Sequence, residues 1–223
     1  MIARSIPIPV ARRQGPGATV LPLARAEGRR LLRHPLILLA AALLVALDFL
    51  TMLFLDKVDA DGYAWSLTVP FMPFAAAVLV VVNLAALRGV RDDADELYAS
   101  LPAPARARTA AHLVSLAWAV AATALLVALA VIVFMSKGGH LPGIFPAITA
   151  PVIVALCGTL GLALARWLPH PAAATIGVVG LFILVNTAGP ALESRWGLLV
   201  LGFVALATLF GALALLRDRS RLA

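Results

Sequence analysis

The chain has 223 residues, of which 62% are hydrophobic and 13% are charged, and its mean hydropathy is +1.00. A soluble domain carries roughly a quarter charged residues, so this composition excludes water as the main solvent. The net charge of +7 would indicate nucleic-acid binding in a soluble protein, but in a membrane protein a basic excess reports topology. The single cysteine, Cys157, excludes a disulfide framework and a thiol pair for redox chemistry.

The N-terminal region divides into two parts before the first apolar run. Residues 1–19 are rich in Pro, Gly and Arg and are interpreted as a flexible cytoplasmic tail. Residues 20–34 separate leucines and arginines onto opposite faces, which predicts an amphipathic helix in the inner membrane interface. A basic flank that only sets topology is the alternative interpretation. A cleaved signal peptide is disfavoured. The apolar region of a signal peptide is about 7–15 residues long, whereas the first apolar run of this chain covers residues 35–55.

Six apolar segments follow, each close to the length of about 20 residues that crosses a bilayer. The predicted spans are 35–55, 63–87, 110–135, 144–165, 171–188 and 196–216. Pro146 and Pro151 lie in the fourth span, where neighbouring helices can satisfy the backbone groups that proline frees. The sequence therefore predicts an all-α integral membrane protein, with a six-helix transmembrane domain over residues 35–217 and a cytoplasmic tail at 218–223.

The connectors between these spans differ sharply in charge. With six spans, 15 of the 18 basic residues fall on one side. Only Lys57, Lys137 and Arg195 fall on the other side. Because basic loops stay in the cytoplasm, both termini are predicted to be cytoplasmic, in a multi-pass protein of the cell membrane.

One charged segment, RDDADELYASLPAPARART at residues 91–109, separates the second and third spans. The acids at 92, 93 and 95 suit a helix N-terminus, and Leu97 and Leu101 lie four apart on one face. Pro102 and Pro104 then end the helix. The pattern predicts two to three turns over about 92–101, which are too short to be stable alone and need a surface to pack on. A solvated loop is the alternative.

The sequence lacks the common motifs of a catalytic or metal site. It has no Gly-rich phosphate loop followed by Lys and Ser or Thr, no HExxH pair and no G-x-S-x-G elbow. The four histidines are scattered along the chain, which disfavours a metal site. We therefore expect no catalytic residue, no metal and no cofactor on this chain. The polar residues within the spans, Asp48, Asn83 and Asn186, are candidates for a transport path, because ionisable and polar groups in hydrocarbon are costly unless they face partners or water.

Several of these features together resemble the permease subunits of type 2 ATP-binding-cassette exporters. The resemblance rests on the basic amphipathic "ARAEGRRLLRHP" before the first span, on "DELYASLPAPARARTAAHL" between spans two and three, on the six-span topology and on the short C-terminal tail. It covers about residues 20–217. It implies that the segment at 92–101 is a coupling helix that docks on a separate ATPase subunit. The residues implied as contacts are Asp95, Glu96, Leu97, Tyr98 and Leu101.

The same resemblance implies a second contact site and further subunits of a transport complex. A second, smaller contact with the ATPase would be the turn that contains Trp167 and His170. ATP and Mg²⁺ would be bound by the partner subunit, and a second permease chain, identical or related, would complete a dimer. The expected function is export of a small amphiphilic or drug-like substrate or a peptide. The alternatives are a membrane scaffold or sensor that binds a cytoplasmic partner through the same segment, and a lipid-modifying membrane enzyme.

Overall fold

The computed structural model describes residues 16–54, 70–91, 105–136, 144–192 and 195–220. Seven α-helices and no strand are found in these ranges. The helices are α1 (Pro16–Leu32), α2 (Pro35–Phe54), α3 (Phe71–Arg91), α4 (Ala105–Ser136), α5 (Ile144–Trp167), α6 (Ala172–Leu192) and α7 (Trp196–Ser220). The predicted all-helical class is therefore confirmed for the described residues.

Proline marks the start of several of these helices. Pro35 is the first residue of α2, where its missing N–H costs no hydrogen bond. Pro70, Pro104 and Pro171 each immediately precede a helix. As a result α4 begins at Ala105, five residues before the predicted span, and takes the basic sequence ARART into its first turns. Pro151 lies inside α5 without ending it.

Among the described residues, four helices are long and apolar enough to cross a membrane, through the stretches Phe71–Arg88, Arg106–Ser136, Ala147–Trp167 and Gly197–Arg217. The pair α1 and α2, bent by 58° at the break between them, counts as a fifth if it is taken as one broken span. The apolar stretch of α6, Ala172–Leu184, is shorter. The structure thus indicates a multi-pass helical membrane protein, with four or five candidate spans within the described ranges.

Helix α5 occupies the centre of the helix bundle. It packs against α3, α4, α6 and α7. The apolar stretches of α3 and α5 are each 56% buried, whereas those of α4 and α7 are 22% buried. The outer faces of α4 and α7 therefore expose apolar side chains that would contact lipid, including Leu125, Ile132 and Leu201.

The contact between α3 and α5 brings two backbones together at Gly161. A β-carbon at this position would lie 2.5 Å from the carbonyl oxygen of Leu79, so only glycine fits. One turn further along α3, Asn83 is fully buried and its Nδ2 donates a hydrogen bond to the carbonyl oxygen of Gly161, at 3.1 Å. Small residues that allow close approach, with a polar side chain across the contact, are typical of helix association in membranes.

The first two helices attach to different parts of the bundle. Helix α1 packs mainly on α4, where Gly28 lies directly against the indole of Trp118. Helix α2 packs mainly on α3, through a buried stripe that includes Ile37, Ala40 and Leu44. Only two residues, Arg33 and His34, separate α1 from α2.

Candidate functional site

One end of the bundle gathers most of the described arginine side chains, and we call it the basic end. Its arginines come from the last turns of α1, α3, α5 and α7, from the link that follows α1, and from the first turns of α4. They are Arg29, Arg30, Arg33, Arg88, Arg106, Arg108, Arg166 and Arg217. Direct contacts hold these helix ends together: Nη2 of Arg166 on α5 donates to Oγ1 of Thr109 on α4, at 2.7 Å.

The predicted coupling helix lies outside the described residues. Asp95, Glu96, Leu97, Tyr98 and Leu101 all fall within 92–104, between the end of α3 and the start of α4. The structure fixes the two points from which this segment departs, Arg91 and Ala105, and both belong to the basic end. The contact role of these five residues stays a prediction.

Trp167, from the predicted second contact, is the last residue of α5. Its indole Nε1 donates to the carbonyl oxygen of Leu213 on α7, at 3.2 Å, and the guanidinium carbon of Arg217 lies 5.2 Å from the ring centroid. The side chain is nevertheless 48% exposed. Trp167 therefore joins the ends of α5 and α7 and still presents surface at the basic end.

His170, the other residue of this turn, caps α6. Its Nδ1 accepts a hydrogen bond from the backbone N–H of Ala172, at 3.1 Å, which satisfies one of the unpaired donors at a helix start. His34 does the same for α2, accepting from the N–H of Leu36 at 3.3 Å. Both histidines precede a proline, so the His-Pro pair in this chain marks a helix start on two occasions.

The structure also reveals a cavity and a groove that sequence reasoning missed. A cavity between α1, α3 and α4 is lined by Glu27, Arg30, His34, Arg88 and His112 among others. Glu27, Arg88, Arg108 and Arg166 all interact electrostatically with His112. Beside it, an open groove of about 450 Å³ is lined by Ala26, Arg29, Arg30, Arg33, His34, Pro35 and Arg88. From the sequence these arginines were interpreted as topology signals and, in residues 20–34, as the polar face of an amphipathic helix. Their convergence could not be predicted, because it depends on how α1, α3 and α4 pack.

No protein-family model, curated protein or solved structure matches the chain. Among the described residues, no group of three or more His, Cys, Asp or Glu side chains is arranged to hold a metal ion. The functional assignment therefore depends on the residues and on the geometry of the basic end.

Most polar side chains inside the apolar helices bond to their own helix. The hydroxyls of Thr123, Thr149 and Thr208 each donate to the carbonyl oxygen four residues earlier, at 2.8 Å in every case. Such back-bonding satisfies a hydroxyl locally and leaves it with no need of a partner from another helix.

The three path candidates lie on three different helices. Asp48 continues the buried stripe of α2 one turn after Leu44, so it faces α3 and is half-buried. Asn83 lies in the α3–α5 contact, and its Oδ1 is buried without a hydrogen-bond partner in the described part of the chain. Asn186 is a residue of α6. No hydrogen bond between described side chains joins Asp48 to Asn83, so their path role stays a prediction.

Proposed function

We propose that the chain is the transmembrane permease subunit of an ATP-binding-cassette exporter, and that it moves a small amphiphilic or drug-like substrate or a peptide across the cell membrane. ATP and Mg²⁺ bind to a separate ATPase subunit, and this chain contributes no catalytic residue. The proposal includes six spans, cytoplasmic termini and a second permease chain, identical or related.

The observation that supports the proposal is that three helix ends lie together at the basic end: the two that flank the 92–104 segment and the one that leads into the turn with Trp167 and His170. The segment 92–104 departs from Arg91 and returns at Ala105, and the turn that contains Trp167 and His170 follows α5 directly. The Arg166–Thr109 hydrogen bond links the start of α4 to the end of α5. One partner placed against this end could therefore touch both elements, which an ATPase subunit must do to move the helices.

The proposed mechanism is a shift between two states of the bundle. Closure of two ATPase subunits on ATP draws the docked segments together, and the attached helices α3, α4 and α5 move with them. ATP can bias this equilibrium only if the closed ATPase pair binds one state of the permease more tightly than the other. Asp48 and Asn83, which lie on or beside α3, are placed where such a movement would change their surroundings.

The proposed topology predicts which engineered thiols an impermeant maleimide can reach in intact cells. Lys137→Cys is expected to react from outside, whereas Arg106→Cys at the basic end is expected to react only after permeabilisation. The native Cys157 is buried and should not compete for the reagent. Labelling of Arg106→Cys in intact cells would contradict the six-span arrangement.

The function itself is tested by co-expression with a candidate ATP-binding-cassette ATPase from the same genome. We expect the chain alone to show no ATPase activity, and the two subunits to co-purify in detergent and hydrolyse ATP. An ATPase whose Walker A lysine is replaced by alanine is the control, and it should co-purify without hydrolysis. Failure of the two wild-type subunits to associate would remove the exporter assignment.

A further inference from the structure

We infer that the groove between α1, α2 and α3 binds the phosphate of an anionic phospholipid headgroup, through Arg29, Arg30, Arg33 and Arg88. This is a binding site on the chain itself, and it does not depend on the exporter assignment. The groove lies where the two-residue link between α1 and α2 passes the last turn of α3, and it has a volume of about 450 Å³.

The four arginines that line the groove keep solvent-accessible side chains. Arg29, Arg30 and Arg33 are exposed and Arg88 is half-buried. Within the described ranges, none of the four forms an ion pair. Glu27 is the one acidic side chain among the described residues that line the groove and its neighbouring cavity, so the described lining carries an excess of positive charge. Arginine presents a planar fork of donors that matches phosphate oxygens, which makes a phosphate the best-fitting anion.

General rules for basic residues explain only part of this arrangement. Cations are favourable at the C-terminal end of a helix such as α1, and basic residues collect on the cytoplasmic side of a membrane protein. Neither rule requires Arg29, Arg30 and Arg33, at and just after the end of α1, to line the same groove as Arg88 from α3. Basic pockets between helices on the cytoplasmic side are the sites where lipid headgroups bind.

The surface next to the groove favours a lipid over a soluble phosphate. Pro35 lines the groove, and the residues one turn further along α2 on the same face, Leu38 and Leu39, are 56% and 68% exposed. Exposed apolar side chains continue from there to Leu43 and Leu50. A cationic groove that runs directly into an apolar stripe matches a molecule with a phosphate head and an acyl chain.

The test uses the full chain in a neutral detergent, titrated with dioctanoyl phosphatidylglycerol, with dioctanoyl phosphatidylcholine and with inorganic phosphate, and follows binding by native mass spectrometry. We expect the wild-type chain to bind the anionic lipid about tenfold more tightly than the zwitterionic one, or better. Equal affinity for the two lipids would overturn the inference. Inorganic phosphate that binds as tightly as the anionic lipid, and displaces it, would overturn the lipid assignment.

A pair of charge-matched double variants locates the site. Arg30→Gln with Arg33→Gln is expected to weaken phosphatidylglycerol binding by roughly 30-fold, since each basic residue near an anionic surface contributes about 1 kcal/mol. Arg25→Gln with Arg106→Gln removes the same charge from two exposed positions that do not line the groove, and should bind nearly as the parent does. Equal losses in the two double variants would overturn the site. Circular dichroism and gel filtration establish that both are folded, and the wild-type preference between lipids tests the inference without any variant.

Discussion

Replacing Gly161 with alanine is expected to lower the thermal stability of the detergent-solubilised protein more than any other single methyl addition to a described glycine. The new β-carbon would lie 2.5 Å from the carbonyl oxygen of Leu79, which is backbone and cannot rotate away. Helices α3 and α5 would have to separate, and the hydrogen bond from Asn83 would lengthen with them. Overpacking of a well-packed contact costs about 1–3 kcal/mol, and we expect a value at or above the upper end.

Gly202 on α7 provides the matched control. No atom of the described residues outside its own helix backbone lies within 4 Å of a β-carbon built there. Alanine is the better helix former by about 1 kcal/mol, so Gly202→Ala should leave the melting temperature unchanged or raise it. If the two variants have the same melting temperature, the close approach of α3 and α5 does not exist in the folded protein.

The second large effect is expected from Leu97→Asp, measured as the affinity of the purified chain for the proposed ATPase subunit. In the proposed complex Leu97 and Leu101 lie on the docked face of a helix of two to three turns. A carboxylate there would be buried without a partner. Because so short a helix offers few contacts, losing one central anchor should weaken association by roughly 30-fold or more. Glu96→Arg should weaken it less, since a charge at the rim of an interface contributes little.

Ala99→Asp is the control for this substitution. It adds the same charge two residues away, on the opposite face of the predicted helix, and should leave the affinity within a few-fold of the parent. Unaltered melting temperatures would establish that none of the three variants damages the membrane-embedded helices. A Leu97→Asp chain that binds and activates the ATPase like the parent would mean that residues 91–109 are only a charged connector.

The helices themselves follow from hydrophobicity and proline placement. The predicted starts at residues 35, 144 and 196 coincide with the first residues of α2, α5 and α7. The start of α4 does not coincide with the start of the predicted span at residue 110. Hydrophobicity detects only the apolar part of a helix, whereas the basic sequence ARART after Pro104 is already helical. Which helix contacts which could not be predicted. The spans are apolar on every side, so periodicity gives no sign of the face that packs.

The candidate site was predictable only where its signal is local. The His-Pro pairs and Trp167 could be located at helix ends, although their capping and cation–π contacts require the folded neighbours. The polar residues of the spans were identified as candidates only from the free-energy cost of placing a polar group in hydrocarbon. The structure gives two of them different positions: Asn83 bridges the α3–α5 contact, while Asp48 lies on the α2 face that meets α3. The cavity at His112 combines α1, α3 and α4, and no spacing along the chain could indicate it.

The placement of α1 and α2 has a mechanical consequence. Helices α3 and α4, which carry the two ends of the 92–104 segment, make little contact with each other, yet α1 rests on α4 and α2 rests on α3. With only Arg33 and His34 between them, α1 and α2 form a bent pair that connects α4 to α3 across that gap. Any change in the separation of α3 and α4 must therefore change the 58° angle between α1 and α2, or shift α1 along α4 or α2 along α3.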